Sequence, residues 1–266
     1  MSRQPRFPGA TSISRLEAYS DAAPDGLAGG TPHLHTVSSE AYLVVAGAGT
    51  LQTVDASGFA EHSLEPGALV WFEPGVIHRA VNHGGLDVRV IMANAGLPEA
   101  GDAVMTFPDD VLADAEAYRA AATLPGADGP ADERRAAAAT RRDLAVRGFL
   151  DLFDDGVLDD AHLNQDRLAR LHAHAVALVA ARAPDWRTLW QHGAQAEANA
   201  TGARLDALEA GRDPGLAAAR VSTARPEPAS LGMCGVLDRY DLAGPDHAGR
   251  DRLDPARDPR HSEGPR

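Results

Sequence analysis

Two histidines two residues apart, a glutamate five residues later and a third histidine thirty-eight residues beyond that stand out for their metal-binding chemistry. They are His33, His35, Glu40 and His78, in the segments TPHLHTVSSEAYLVVAGAG, from Thr31, and FEPGVIHRAVN, from Phe72. On extended backbone, side chains two apart project to the same side, so His33 and His35 converge. A strand beginning at Glu40 puts Glu40, Tyr42 and Val44 on one face and Ala41, Leu43 and Val45 on the other. The Pro74-Gly75 turn fixes the start of a further strand on which His78, Ala80 and Asn82 share a face opposite Arg79 and Val81.

Three neutral imidazoles and one carboxylate give a divalent ion a mixed nitrogen and oxygen shell, leaving two positions of a six-coordinate metal open for water, substrate or dioxygen. Such a shell suits one Fe, Mn, Ni, Co or Zn ion and disfavours calcium, which prefers oxygen ligands. Tyr42 and Asn82 share the ligand faces and are the candidate substrate contacts, although Tyr42 can equally fill a core and Asn82 can brace a turn. No general acid or base outside the shell is identified.

Other signals are weaker. His172 and His174 repeat the two-residue spacing, but within a helical pattern, where their rings diverge by about 200° around the axis. Arg79, pointing away from the ligands, is expected to form a surface ion pair, and Cys234 to be an inert buried thiol. No phosphate-binding glycine loop and no serine or cysteine nucleophile motif is present.

The elements that must position these groups change character along the chain. Residues 12–94 alternate short apolar runs with turn residues, and candidate strands are 12–19, 41–46, 50–54, 59–64, 68–72, 78–82 and 87–93. The breaks fall at Gly47-Ala48-Gly49, Asp55-Ala56-Ser57-Gly58, Glu65-Pro66-Gly67 and His83-Gly84-Gly85. After Pro108 the apolar period lengthens to about 3.6 and predicts helices over 109–122, 131–154, 160–182 and 185–210. Asp109 is the expected first cap, Pro184 the end of the third helix, and Trp186 and Trp190 are expected in the core. This divides the chain into a β domain over 10–105, a helical extension over 106–215, a segment over 216–243 that returns to the sheet as a strand, and a tail over 244–266 without apolar anchors, expected to be disordered.

All 25 basic residues are arginine, so chemistry that needs a lysine amine is excluded. A net charge of −13 argues against nucleic acid as a partner. No run approaches the roughly 18 apolar residues of a membrane span, and one cysteine cannot form an internal disulfide, so a cytoplasmic protein is expected.

The pattern His33-x-His35-x4-Glu40-x6-Gly47, followed by Gly67 and Pro74-Gly75-x2-His78-x3-Asn82, resembles the two signature motifs of the cupin superfamily. The resemblance spans residues 12–94 and implies a jelly-roll barrel holding a metal through His33, His35, Glu40 and His78, with turn roles for Gly47, Gly67, Pro74 and Gly75. Where the family usually has a glycine six residues before the first ligand this chain has Leu27, and its usual Pro-x-Gly is here Pro74-Gly75. The fold class expected is therefore α+β, a cupin barrel followed by helices, as in cupin proteins of bacterial type. The function it implies is a metal-dependent enzyme on a small molecule, oxygenase-type ahead of isomerase or decarboxylase, and the alternative is a non-catalytic binding or sensor module. The one macromolecular partner left open is a second copy of the chain.

Overall fold

A computed structural model gives the fold of residues 7–126, 128–240 and 242, so the tail over 244–266 lies outside the described residues. Seven strands come first: β1 (Ser12–Ala18), β2 (His33–His35), β3 (Glu40–Asp55), β4 (Gly58–Leu64), β5 (Leu69–Phe72), β6 (Ile77–Met92) and β7 (Ala103–Met105). Helices α1 (Asp109–Leu112), α2 (Ala115–Ala122), α3 (Ala131–Leu150), α4 (Gln165–Val179), α5 (Ala183–Trp190) and α6 (Ala196–Glu209) come next, then β8 (Ser230–Leu231) and β9 (Gly235–Arg239). All strand pairs are antiparallel, in the order β4-β3-β6-β1-β9-β8, with β5 on β3, β2 on β6 and β7 on β2. The α+β class read from the residues is the one the chain adopts.

The two glycine clusters expected to break strands do not. Gly47-Ala48-Gly49 lies inside β3 and Gly84-Gly85 inside β6, and the pairing of the two strands shifts register around them, between Val44 and Gly49. Gly47 has φ of 76°, and a Cβ there would run into the carbonyl of Gly85. These glycines permit a bend and a close backbone approach rather than a reversal. Each long strand thereby passes from one half of the barrel to the other. Reversals do occur at Ala56-Ser57, where Asp55 pairs with Gly58, and at Pro66-Gly67 and Pro74-Gly75.

Alternation fixes which residues enter the barrel. Along β3, Glu40, Tyr42 and Val44 are buried while Leu43 and Val45 are exposed. Leu16, Leu51, Phe72, Val88, Val90 and Met92 join Tyr42 and Val44 in the barrel core. A second core lies outside the barrel, where Leu34, Val54 and Ile77, on the opposite sides of their strands, pack with Phe149, Phe153, Leu168, Leu171 and Val179 of the helical layer. Gly148 lets α3 press close, since a Cβ there would meet the backbone of Thr106 and Phe107. Strand β9 pairs with β1, with Leu237 opposite Leu16.

Several local expectations are corrected. The single helix from Asp109 is two, because the Asp114 side chain accepts from the amides of Glu116 and Ala117 and starts α2. The third helix begins at Gln165 with Asn164 as its cap, because Asp160 instead accepts from the amide of Phe59 at 2.6 Å. Pro184 opens α5 rather than ending a helix, in the first turn where its missing N–H costs nothing. Trp186 is buried and donates to the carbonyl of Ala100 at 3.3 Å, but Trp190 is 37% exposed. Arg79 is no surface residue: it is wholly buried and ion-paired to Asp25, because the segment around Ala28 and Gly29 folds back over β6 through contacts to Val81 and Asn82.

Candidate metal centre

Strand pairing sets His33 directly opposite His78, and the turn before β6 is tied to the histidine strand by the Gly75 amide, which donates to the carbonyl of His35 at 2.8 Å. Glu40, the first residue of β3, is opposite Phe72 at the end of β5 and Met92 at the end of β6. The structure thus brings the four sequence-predicted side chains together, with one potential ligand atom from each lying within 4.8 Å of the others. All four are buried. The Glu40 Oε2 atom lies 3.2 Å from His35 Nε2 and 3.1 Å from His78 Nε2.

Each imidazole is anchored through its other nitrogen. His33 Nδ1 meets the carbonyl of Thr31 at 2.9 Å, His78 Nδ1 that of Val76 at 3.1 Å, and His35 Nδ1 the Asp102 carboxylate at 2.7 Å. With each Nδ1 held from outside, the Nε2 atoms face the cluster, the arrangement that orients metal-binding histidines. Glu40 Oε2 and His78 Nε2 are buried without a hydrogen-bond partner, although they face each other. Two orphaned polar atoms in a cluster whose outer nitrogens are all held fit a cation placed among them.

The charges are set by burial and neighbours. Burial, with His78 and His35 close by, pushes His33 well below the ordinary histidine range, so it is neutral. Burial also opposes charge on His35, but its hydrogen bond to Asp102 and the nearby Glu40 carboxylate prevail and raise it to about 10. Burial alone would raise Glu40, yet His78 and His35 hold it far below the usual carboxylate range. The site therefore keeps a carboxylate ionised inside a barrel.

Asp102 is the residue that reading the sequence missed. It is wholly buried, and besides His35 it accepts from the amide of Ser38 at 2.9 Å. It precedes β7, whose Ala103 pairs with His35, so only the strand pairing reveals its place. Phe72 packs on His78 with ring centroids 4.2 Å apart. Of the two candidate substrate contacts, Tyr42 is wholly buried with its hydroxyl 3.9 Å from Cys234 Sγ. Asn82 is occupied with backbone: its amide nitrogen donates to the carbonyls of Ala18 and Tyr19, and its oxygen accepts from the amides of Gly84 and Leu86. That makes it the brace of the β6 bend. His174 lies 3.3 Å from Asp109 and is apart from the cluster.

Residues 21–94 match the family described as the cupin domain. No curated protein matches the chain. Similar solved structures include a capsular polysaccharide assembling protein from Staphylococcus aureus, at 20% identity and a TM-score of 0.27, covering 34% of this chain and 24% of that one. Another is a conserved protein with a double-stranded beta-helix domain from Klebsiella pneumoniae, at 16% identity and a TM-score of 0.27, covering 35% and 73%. An oxalate oxidase in complex with glycolate is 13% identical with a TM-score of 0.23, covering 32% and 51%. The chain spans about a quarter of the length of the Staphylococcus protein. The segment 21–94, which holds all four clustered side chains, is the part of the chain that matches the cupin domain family.

Proposed function

We propose that the chain is a metal-dependent enzyme of oxygenase type acting on a small molecule inside the barrel, with His33, His35, Glu40 and His78 holding one divalent ion. The observation that carries this reading is the convergence of three anchored imidazoles and an ionised carboxylate, two of whose atoms are buried and unpartnered. When bound, the ion would supply Lewis acidity and, if it is Fe, Mn, Ni or Co, access to redox chemistry that zinc lacks. The protein's own part is orientation and exclusion of water. Asp102 and the carbonyls of Thr31 and Val76 fix the imidazoles, while apolar neighbours such as Phe72, Val90 and Met92 line the core beside them. A ligand would bring its polar group to the ion and its apolar body to these walls.

The second reading, a sensor, has one observation in its favour. Leu34, between His33 and His35, belongs to the core shared with the helices, so the strand carrying both histidines is packed directly against the helical layer.

Metal analysis of protein purified without chelator, combined with oxygen uptake against small phenols, diketones and thiols, tests both. Redox-active metal with substrate-dependent uptake is expected; stoichiometric zinc without uptake would overturn the oxygenase reading and favour an isomerase, hydrolase-like or sensor role. Glu40→Ala and His78→Ala should abolish metal binding, and Asp102→Asn should weaken it by about 10–100-fold. Unchanged metal content in the two alanine variants would overturn the ligand assignment.

A further inference from the structure

The segment that returns to the sheet late in the chain forms the β8–β9 hairpin, with the Gly232 amide donating to the Gly235 carbonyl at 2.8 Å to close its turn. Of the two residues between them, Cys234 is buried in the barrel core and Met233 packs against both cores. The tip holds Thr31, two residues before His33 and 202 positions earlier in the chain than Met233. The Met233 carbonyl accepts from the Thr31 hydroxyl at 2.8 Å and from the Thr31 amide at 3.1 Å. The Thr31 carbonyl in turn meets His33 Nδ1 at 2.9 Å, with Cys234 Sγ 4.0 Å from the same oxygen. Thr31 is wholly buried, so its polar groups depend on these partners. The hairpin is itself held at Gly232, whose carbonyl accepts from Arg141 Nη2 at 2.8 Å and from the Tyr19 hydroxyl at 3.0 Å. Arg141 is buried in α3 and also donates to the carbonyl of Ala122 at 3.3 Å, so it ties the hairpin to α2 and α3.

We infer that the β8–β9 hairpin is the positioning element for His33: it fixes the Thr31 peptide, and that peptide fixes the imidazole. This rests on the reading of the four clustered side chains as a metal site. The three histidines differ in where their outer anchors come from. His78 is held by the carbonyl of Val76, two residues away, and His35 by Asp102, which directly precedes the strand paired with its own. His33 is held by a carbonyl whose own residue is hydrogen-bonded to the C-terminal hairpin, outside the matched segment 21–94. A turn of the Thr31 peptide takes the oxygen off Nδ1 and frees the ring, and loss of an outer partner of this kind weakens metal binding about 10–100-fold. Thr31, Met233 and Arg141 are thus positioning residues, acting on the cluster through His33.

The test is the rate at which the full chain, loaded with zinc, gives the metal up to an excess of a chromogenic chelator. Thr31→Val removes the hydroxyl and keeps the shape, and with unchanged far-ultraviolet circular dichroism it should release zinc at least about 10-fold faster. Thr31→Ser, which restores the hydroxyl, should restore the original rate. Gly30→Ala acts from the other side of the contact: its methyl would come within 2.7 Å of the Cys234 Cα, and by displacing the hairpin it should also speed release. Arg142→Gln is the control. That guanidinium is buried too, but it binds Asp21, Asp143 and the carbonyl of Ala22, none of them in the hairpin, so its loss should lower stability and leave release unchanged. Release at the original rate from either folded variant, Thr31→Val or Gly30→Ala, overturns the inference. Equal acceleration in Arg142→Gln or in Thr31→Ser does so as well, since it would mark a general loosening of the fold. An unaltered chain that takes up no zinc overturns the metal reading, and the inference falls with it.

Discussion

On one outer face of the barrel, Leu34, Val54 and Ile77 disappear beneath Phe149, Phe153 and Leu171; on the other, Leu43, Leu69 and Trp71 stand in the open. Both faces are apolar and both belong to the same long strands, since β3 and β6 run through each half of the barrel. The difference lies in the later chain. Beyond β7 it supplies packed helices for the first face and none among the described residues for the second. A sheet buries two faces or leaves one to be covered by something else, and here one strand pair shows both outcomes.

Perturbing each side should break this comparison in opposite ways. The largest effect is expected at the covered face: Phe149→Ala empties a wholly buried ring site and should cost about 3–5 kcal/mol in urea unfolding. A cost below about 1 kcal/mol would mean that the helical layer does not share the barrel's stability.

A smaller effect should come from the seam between barrel and β9. Burial pushes Tyr19 up from 10.0 to about 12, and Cys234, likewise through burial, up from 9.0 to about 12. The unfolded chain releases these protons first, so their contribution is complete below pH 9 and declines as pH rises from 9 toward 12. Unfolding midpoints at about pH 8, 10 and 11.5 should fall in that order, and Cys234 should resist thiol reagents at about pH 8 until the chain unfolds. Prompt modification of the native chain would contradict the buried placement.

The smallest effect belongs to the open face. Trp71→Ser should change stability by no more than about 0.5 kcal/mol, because an exposed side chain has little to lose. A loss comparable to that at Phe149 would show that the two faces are not different after all.

The same contrast explains what reading the residues could reach. The four clustered side chains were legible because strand alternation is local: residues two apart face together whatever the rest of the chain does, and Glu40, Tyr42 and Val44 are buried as that rule requires. Asp102 was not, since its meaning depends on a pairing between β2 and β7 that no local pattern records. The glycines at 47, 49, 84 and 85 read as turns because the same freedom serves a reversal or a bend, and only the partner strand decides which. Arg79 read as a surface residue because Asp25 lies 54 positions away.

Leu34 gives the fold a property that the match to residues 21–94 would not suggest. The family segment is not a cartridge to be cut out and moved to another chain. Removing the helices would turn Leu34, Val54 and Ile77 outward to water, and with them the backing of the strand on which His33 and His35 sit. Transplantation would therefore have to carry Phe149, Phe153 and Leu171 along, and a search for variants that alter the His33/His35/Glu40/His78 cluster should include helix positions that never touch it.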